Sequence, residues 1–479
     1  MAATASERKL FVAGEWIETG EWIDVLSPYS GDVVGRVAKA GARETRRAID
    51  AAERVLEQPL PAHRRAEILV KVAGYLGRRH DEVARLISDE AGKPMKAARV
   101  EAARAMSTFT YSAVAARTLA GEMVPMEGSQ AGEGKLAFTL RVPVGIVGAI
   151  SPFNFPLNLV AHKLAPALAA GCPVVLKPAT QTPLSALLLA ELMEEAGLPP
   201  GWLSVVVGPA SEIGDVLVED DRVRLITFTG SGDVGWGIRE RAPRKKVNLE
   251  LGNATPAIVC CDAPPSTAEK LAANSFSFAG QSCISVQRIY VMADAWDDFV
   301  RDFVPKVEAL KVGDPGDEET DVGPLIAESE RDRVLEWIGS TKGDVLTGGD
   351  VTEEGLLRPT VIANPHPTDK VQCEEVFGPV VTLTRTSSLD EAIDLANSTR
   401  YGLQAAIFSF DLRPALAAAQ RLEFGGVIVN EAPTFRADQM PYGGVKASGN
   451  TREGPAWAVR ELTEERLVVL QLPQRPERA

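Results

Sequence analysis

Cys283 lies in Phe276-Ser-Phe-Ala-Gly-Gln-Ser-Cys-Ile284, where a helix-forming run hands over to the strand-like Val286-Gln-Arg-Ile-Tyr-Val291. A cysteine at such a junction can be exposed and react as its thiolate, although free cysteines more often serve as small buried hydrophobes. Asn154, in Ser151-Pro-Phe-Asn-Phe-Pro156, is a neutral donor fixed between two prolines after an apolar strand. That arrangement suits holding an oxyanion; it equally suits a turn that caps the next helix. Glu250 ends an apolar strand in Asn248-Leu-Glu-Leu-Gly-Asn253. Burial there would raise its pKa toward that of a general base, whereas a solvated strand end would leave it an ordinary acid. A soft nucleophile, a donor at developing charge and a base for a second step are together what thioester chemistry requires.

Three further stretches carry residues suited to a nucleotide. Lys177-Pro-Ala-Thr180 places a lysine at a strand end, where it reaches ribose or phosphate or stays solvated. Phe228-Thr-Gly-Ser-Gly-Asp-Val-Gly235 matches G-x-G-x-x-G between a strand and a helix. That places a pyrophosphate at a helix N-terminus or serves local glycine packing. Glu374-Glu-Val-Phe-Gly-Pro379 sets an acid and an aromatic beside two turn-formers.

The elements that must position these residues follow from periodicity. From Val144 to Leu251 apolar strands alternate with helices: strands at Gly145–Ile150, Pro173–Lys177, Leu203–Val207, Leu225–Thr229 and Val247–Leu251. Continuous apolar strands between helices predict a doubly wound parallel sheet, with ligands outside the strands' carboxyl ends. Residues 252–445 repeat the pattern, with strands at Ala257–Val259, Arg288–Met292, Ala405–Ser409 and Gly426–Asn430. The fold class is therefore α/β, two doubly wound domains plus a small β sheet built from Lys135–Arg141 and Glu464–Pro473. The expected division is 1–121 with 143–249, then 250–445, with 122–142 and 460–475 as oligomerisation strands. Residues 1–120 read mostly as packing scaffold.

With 479 residues, the chain is too long for one core. A net charge of -14 argues against nucleic acid and anionic membranes as partners. The uncharged stretch Val142–Ala161 contains Pro143, Pro152 and Pro156, a poor spanning helix. Met1–Lys9 has no apolar core of a secretory signal. Five cysteines, an odd number, indicate a reducing compartment rather than a disulfide framework, hence a cytoplasmic protein. Cys260-Cys261 lacks partners at ligand spacing, so no metal site is expected.

Taken together, Pro152-Phe-Asn-Phe-Pro156, Lys177-Pro-Ala, Phe228-Thr-Gly-Ser with Gly235, Glu250-Leu-Gly, Gly280-Gln-Ser-Cys283, Glu375-Val-Phe-Gly-Pro379 and Tyr442-Gly-Gly-Val-Lys-Ala-Ser-Gly449 resemble the aldehyde dehydrogenase superfamily over nearly the whole chain. The spacing of 33 residues from Glu250 to Cys283 fits as well. The resemblance implies that Cys283 attacks the aldehyde, that Asn154 and the Cys283 N–H hold the oxyanion, and that Glu250 activates water. It also implies an NAD or NADP site in which Lys177 and Glu375 hold the riboses, Phe377 the nicotinamide side and Ser231 the pyrophosphate. Ser151, Thr180, Gly230, Gly235 and Leu251 complete that site. His63, His80, His162 and His366 are isolated, and no step of this chemistry needs them. A homodimer or homotetramer is expected.

The segments Asn430–Gly444 and Gln281–Arg288 look like the lactaldehyde, succinate-semialdehyde and non-phosphorylating glyceraldehyde-3-phosphate branch, so a small polar or anionic aldehyde is the expected substrate. Ser282 stands where phosphate-binding relatives often carry arginine, which speaks against a phosphorylated one. Arg104, Ser282, Ile284 and Arg436 are the candidate substrate residues, each arginine being equally able to serve as a structural ion-pair partner. A CoA-acylating relative typically lacks the base, and a silent binding protein would lose the nucleophile; Glu250 and Cys283 are both present. Two departures stand out. Asn253 replaces a family glycine beside the base, and Thr180 replaces the glutamate with which many NAD-specific relatives repel a 2′-phosphate. NADP is accordingly expected to be accepted, and NAD turnover with no binding or turnover of NADP would refute this.

Overall fold

The computed structural model describes residues 6–472. Its first large sheet has seven strands in the order Lys246–Glu250, Val223–Thr229, Ile146–Ile150, Val174–Lys177, Leu203–Val205, Leu10–Val12, Glu15–Ile17. The first five are parallel, and the N-terminal hairpin adds two antiparallel strands. The hairpin turns at Ala13 and Gly14, with φ of 58° and 84°. Val147, Leu176, Leu225 and Leu249 are fully buried in this sheet, as strands covered on both faces require. Strand order reverses between Ile146–Ile150 and Val223–Thr229, the switch point at which such sheets open a ligand crevice.

The second large sheet also has seven strands: Asp344–Thr347, Thr360–Ala363, Val380–Thr386, Val286–Met292, Thr255–Val259, Gln404–Phe408, Gly426–Val429. All pairs are parallel except the first. Four of the seven are the strands expected from the sequence. Asp344–Thr347, Thr360–Ala363 and Val380–Thr386 are additions; the first two span four residues each, too short for a period to register.

The segment between Glu250 and Thr255 joins the last strand of the first sheet directly to a strand of the second. That short connection brings the carboxyl ends of the first sheet against the amino ends of the second. Functional residues follow their strands in the first sheet, as expected. In the second they precede them, with Cys283 before Val286–Met292 and Glu375 before Val380–Thr386.

Helix Asn158–Ala170 runs along this junction with every residue buried. Its N-terminus is held by Glu101 from the long helix Met95–Thr118, whose Oε1 accepts the N–H groups of Leu157 and Asn158 at 2.9 and 3.0 Å. A buried carboxylate there satisfies orphan donors and complements the helix dipole. A three-stranded sheet pairs Thr463–Gln471 with Lys135–Pro143 and Met123–Val124. The tail residues 473–475 of the expected division, and 1–5 at the other end, lie outside the described residues. Among the described residues no helix is long and apolar enough to cross a membrane.

The approach to Cys283 is tightly fixed. Phe278, Ala279 and Gly280 all take left-handed conformations, with φ of 51°, 52° and 72°, which two non-glycine residues adopt only under surrounding constraint. A Cβ on Gly280 would collide with the Gly378 carbonyl. Gly280→Ala is therefore expected to lower stability by about 1–3 kcal/mol in chemical denaturation, with a larger proportional loss of activity as the cysteine loop shifts.

Candidate active site

Cys283 stands between two cavities. The larger, about 410 Å³, is lined by Asn154, Glu250, Leu251, Gly252, Cys283, Glu375 and Phe377, with Gly230 and Ser231 at its far side. The smaller, about 260 Å³, is lined by Arg104, Ser282, Ile284, Ser285, Asn274 and Thr434, among others. The nucleophile faces the first while its two sequence neighbours face the second.

Asn154 meets the cysteine loop directly, its Nδ2 donating to the Gln281 carbonyl at 2.9 Å. Its own carbonyl accepts from the buried Lys93 Nζ at 2.6 Å. Lys93 also pairs with Glu101 and lies 3.6 Å from the centre of the Phe155 ring. The loop that presents Asn154 is thus clamped from behind by helical sequence that composition marks as scaffold.

Glu250 is buried, and neither carboxyl oxygen has a hydrogen-bond partner. Burial, reinforced by the charge of Glu453, raises its pKa well above the carboxylate range, against the pull of Arg436 and Lys163. Lys163, in the otherwise apolar helix, donates to Thr229 Oγ1 at 2.6 Å and lies 3.8 Å from Glu453 Oε1. Arg436 and its partners hold the Glu453 carboxyl down, to about 2. The Cys283 thiol is pushed up to about 12 by burial, opposed by Tyr442 and Arg436.

Arg436 takes the ion-pair arrangement that the sequence left open beside a substrate role. Its guanidinium donates to Glu453 Oε2 at 2.7 Å and stacks over the Tyr442 ring at 3.7 Å, with only 5% of its side chain exposed. A buried guanidinium needs a carboxylate, and Glu453 supplies it inside the protein. Arg104 does line the smaller cavity; Asp438 accepts from its Nε and Nη2 at 3.2 and 3.0 Å. His162 lies buried beside Asp438 at 3.0 Å and Arg436 at 3.3 Å, so the one histidine near the chemistry belongs to this ionic network. Lys163, Glu453, Tyr442 and Lys93 escape sequence reasoning. A lysine in the mostly apolar helix Asn158–Ala170, beside His162, was the one available signal for Lys163.

The residues of the larger cavity fit a dinucleotide. Gly252 forms a cradle whose missing Cβ would collide with the Glu375 carboxylate. Glu375 Oε1 accepts the Asn253 N–H at 2.9 Å. Phe377, at φ 48°, meets Phe153 edge to face at 5.9 Å. Ser231 precedes the ten-residue helix Gly232–Arg241 and makes no side-chain cap, which leaves its hydroxyl and the helix N-terminus open to an anion. Gly235 lets that helix close on Leu251, where a Cβ would lie 2.5 Å from Leu251 Cδ2. Ser151 Oγ is buried without a partner. Lys177 donates to the Pro178 carbonyl at 3.3 Å and is buried, which lowers its pKa. Thr180, which takes the place of the repelling glutamate, has its hydroxyl engaged within the protein. Its Oγ1 donates to the Gly208 carbonyl at 3.2 Å, because the loops after neighbouring strands meet there. Asn253 is rigidly held, donating to Thr255 Oγ1 at 2.8 Å and to the Gln404 carbonyl at 3.1 Å.

Known proteins share this architecture. A profile of the aldehyde dehydrogenase family matches residues 16–468. The chain is 46% identical over 466 residues to 3-sulfolactaldehyde dehydrogenase of Priestia aryabhattai, covering 97% of this chain and 98% of that one. Aldehyde dehydrogenase 21 from Physcomitrella patens, solved with its product succinate, superposes with a TM-score of 0.95 at 39% identity, covering 98% and 99% of the two chains. The glyceraldehyde-3-phosphate dehydrogenase GapN of Methanocaldococcus jannaschii, solved with NADP, gives 0.90 at 40% identity, covering 95% and 100%. By sequence over nearly its full length and by the fold that surrounds Cys283, the chain belongs to the aldehyde dehydrogenase family.

Proposed function

We propose that the protein oxidises a small polar or anionic aldehyde to its carboxylic acid, through a thioester on Cys283 that is hydrolysed by water activated by Glu250. The observation that carries this reading is the placement of Cys283 between the two cavities, with Asn154 and Glu250 lining the same cavity as the thiol. NAD or NADP, held by Lys177, Ser231, Glu375 and Phe377, supplies the hydride acceptor when bound. Cys283 attacks the aldehyde carbon, and the Asn154 amide faces the oxygen as it gains charge. Once the sulfur carries an acyl group, Glu250 takes a proton from water. The desolvation that raises its pKa is what fits a carboxylate for that task near neutral pH.

The smaller cavity supports the substrate class. Ser282, Ser285, Asn274 and Thr434 give it polar groups beside the apolar Phe155, Phe278 and Ile284, and Arg104 reaches its wall with Nη1 outside the hydrogen bonds to Asp438. Sulfolactaldehyde, lactaldehyde and succinate semialdehyde share this size and polarity. One face of the small sheet exposes Met123, Leu136, Leu140 and Leu470; such a face, with Thr463–Gln471 at its edge, is suited to pairing between copies.

The test is NAD(P)H formation with these aldehydes and with propanal, with and without CoA. The polar aldehydes are expected to be turned over without CoA, and Cys283→Ala is expected to abolish the activity. Dependence on CoA, or activity surviving Cys283→Ala, would overturn the mechanism. Glu250→Gln is expected to leave one rapid turnover per site while steady-state rate falls on the order of 10²–10⁴-fold, read as a burst in stopped-flow absorbance. In the wild type the steady-state rate is expected to rise with pH through a midpoint above the usual carboxylate range, because the raised pKa keeps Glu250 protonated below it. A midpoint at an ordinary carboxylate value would contradict this role. Arg104→Gln is expected to raise KM for anionic aldehydes by about tenfold, the loss of one charged hydrogen bond, and to leave KM for propanal unchanged.

A further inference from the structure

The Tyr442 hydroxyl stands 2.9 Å from the Cys283 sulfur. Its ring is buried, 4% exposed, in an apolar cluster with Ile284 and Leu403. Its backbone is pinned by a two-way pairing with Glu453, Tyr442 N–H to the Glu453 carbonyl at 3.1 Å and Glu453 N–H to the Tyr442 carbonyl at 2.6 Å. Arg436 covers the ring face at 3.7 Å and is itself fixed by Glu453. Neither ring nor hydroxyl has freedom to turn away from the sulfur.

We propose that Tyr442 is a further catalytic residue, whose phenolic hydroxyl donates a hydrogen bond to the Cys283 sulfur and stabilises it as the thiolate, with Arg436 on the ring face strengthening that donor. The proposal rests on the reading of Cys283 as the nucleophile. No proton is transferred to or from Tyr442. Burial and the neighbouring sulfur hold its pKa well above the ordinary value, so it keeps its hydrogen and is the donor whenever the sulfur is ionised. A hydrogen bond to the charged form favours that form, and one made to an anion is stronger than one made to a neutral thiol. A cation close to an aromatic face withdraws electron density from the ring, which makes the phenol the better donor. The charged and titratable groups around the sulfur are Tyr442 and Arg436 on one side and Glu250 and Glu375 on the other, with Lys163 and Glu453 behind Arg436. The two carboxylates oppose the thiolate; Tyr442 and Arg436 are the groups that favour it.

The test measures the thiol itself. Iodoacetamide alkylation of Cys283 is followed against pH by peptide mass spectrometry, which separates it from the exposed Cys261. In Tyr442→Phe the ring and its packing under Arg436 remain, and only the hydroxyl is lost. The titration midpoint is expected to move up by about one pH unit, and alkylation below the midpoint to slow about tenfold, with kcat/KM falling in parallel and NAD(P) binding unchanged. Replacing tyrosine globally by 3-fluorotyrosine, a more acidic phenol of nearly the same shape, is expected to move the midpoint down, and this decides the matter if Tyr442→Phe fails to fold. Profiles that superpose on the wild type, or faster alkylation in Tyr442→Phe, would overturn the proposal. If alkylated Cys283 still supports aldehyde oxidation, it is instead the nucleophile assignment that fails, whatever the pH profile shows.

Discussion

Charge compensation without water is the constraint on which the site depends. Arg104, Asp438, His162, Arg436, Glu453 and Lys163 form a chain of contacts between the smaller cavity and the end of the first sheet. Removing such groups from solvent is costly, and the cost is offset only when each charge has a well-placed partner. Every member of the chain has one. Glu250, just beyond its end, has none. The network therefore fixes the surroundings of Glu250 while leaving its carboxyl unpaired, and an unpaired buried carboxyl favours its proton until solvent pH draws it off. Structure and reactivity are separated in this way by a single step along the chain.

The same network ties together segments remote in sequence. Helix Met95–Thr118 contributes Arg104, helix Asn158–Ala170 contributes His162 and Lys163, and the segment after the second sheet contributes Arg436, Asp438 and Glu453. Tyr442 joins the thiol to this assembly through Arg436. A substitution at any of these positions acts on several groups at once, so single-residue effects will not add. The two cavities are coupled for the same reason, since Arg104 at one and Thr229 at the other are ends of one set of contacts.

Much of this was legible in the sequence, and the limits are physical. The alternation of apolar strands and helices located all five parallel strands of the first sheet, because doubly covered strands are uniformly apolar. Two short strands at one edge of the second sheet, Thr360–Ala363 and the exposed Asp344–Thr347, carry too little pattern to be read. Cys283, Glu250 and Asn154 stand out in the sequence by residue type and by position at strand ends, and the three line one cavity. Arg436 stayed open to two readings, because an arginine near a loop motif looks the same whether it meets a ligand or, as here, a buried Glu453. Tyr442 and Lys93 were silent: an aromatic in a glycine-rich turn and a lysine before a proline become meaningful only when folding places them against the thiol and the Asn154 loop.

The first core is completed by the end of the chain. Ala458, Val459 and Leu462, from helix Pro455–Glu461 and the residue that follows it, belong to the same buried cluster as the first sheet, and Leu462 accepts a hydrogen bond from the Cys172 thiol within it. Gly449 pairs with Glu250 where the first sheet ends. The nucleotide-side unit thus cannot close during synthesis until residue 462 has emerged, although most of its sequence is made in the first half of translation. The second unit, whose strands all lie between Thr255 and Val429, is contiguous in sequence and does not have to wait for the end of the chain.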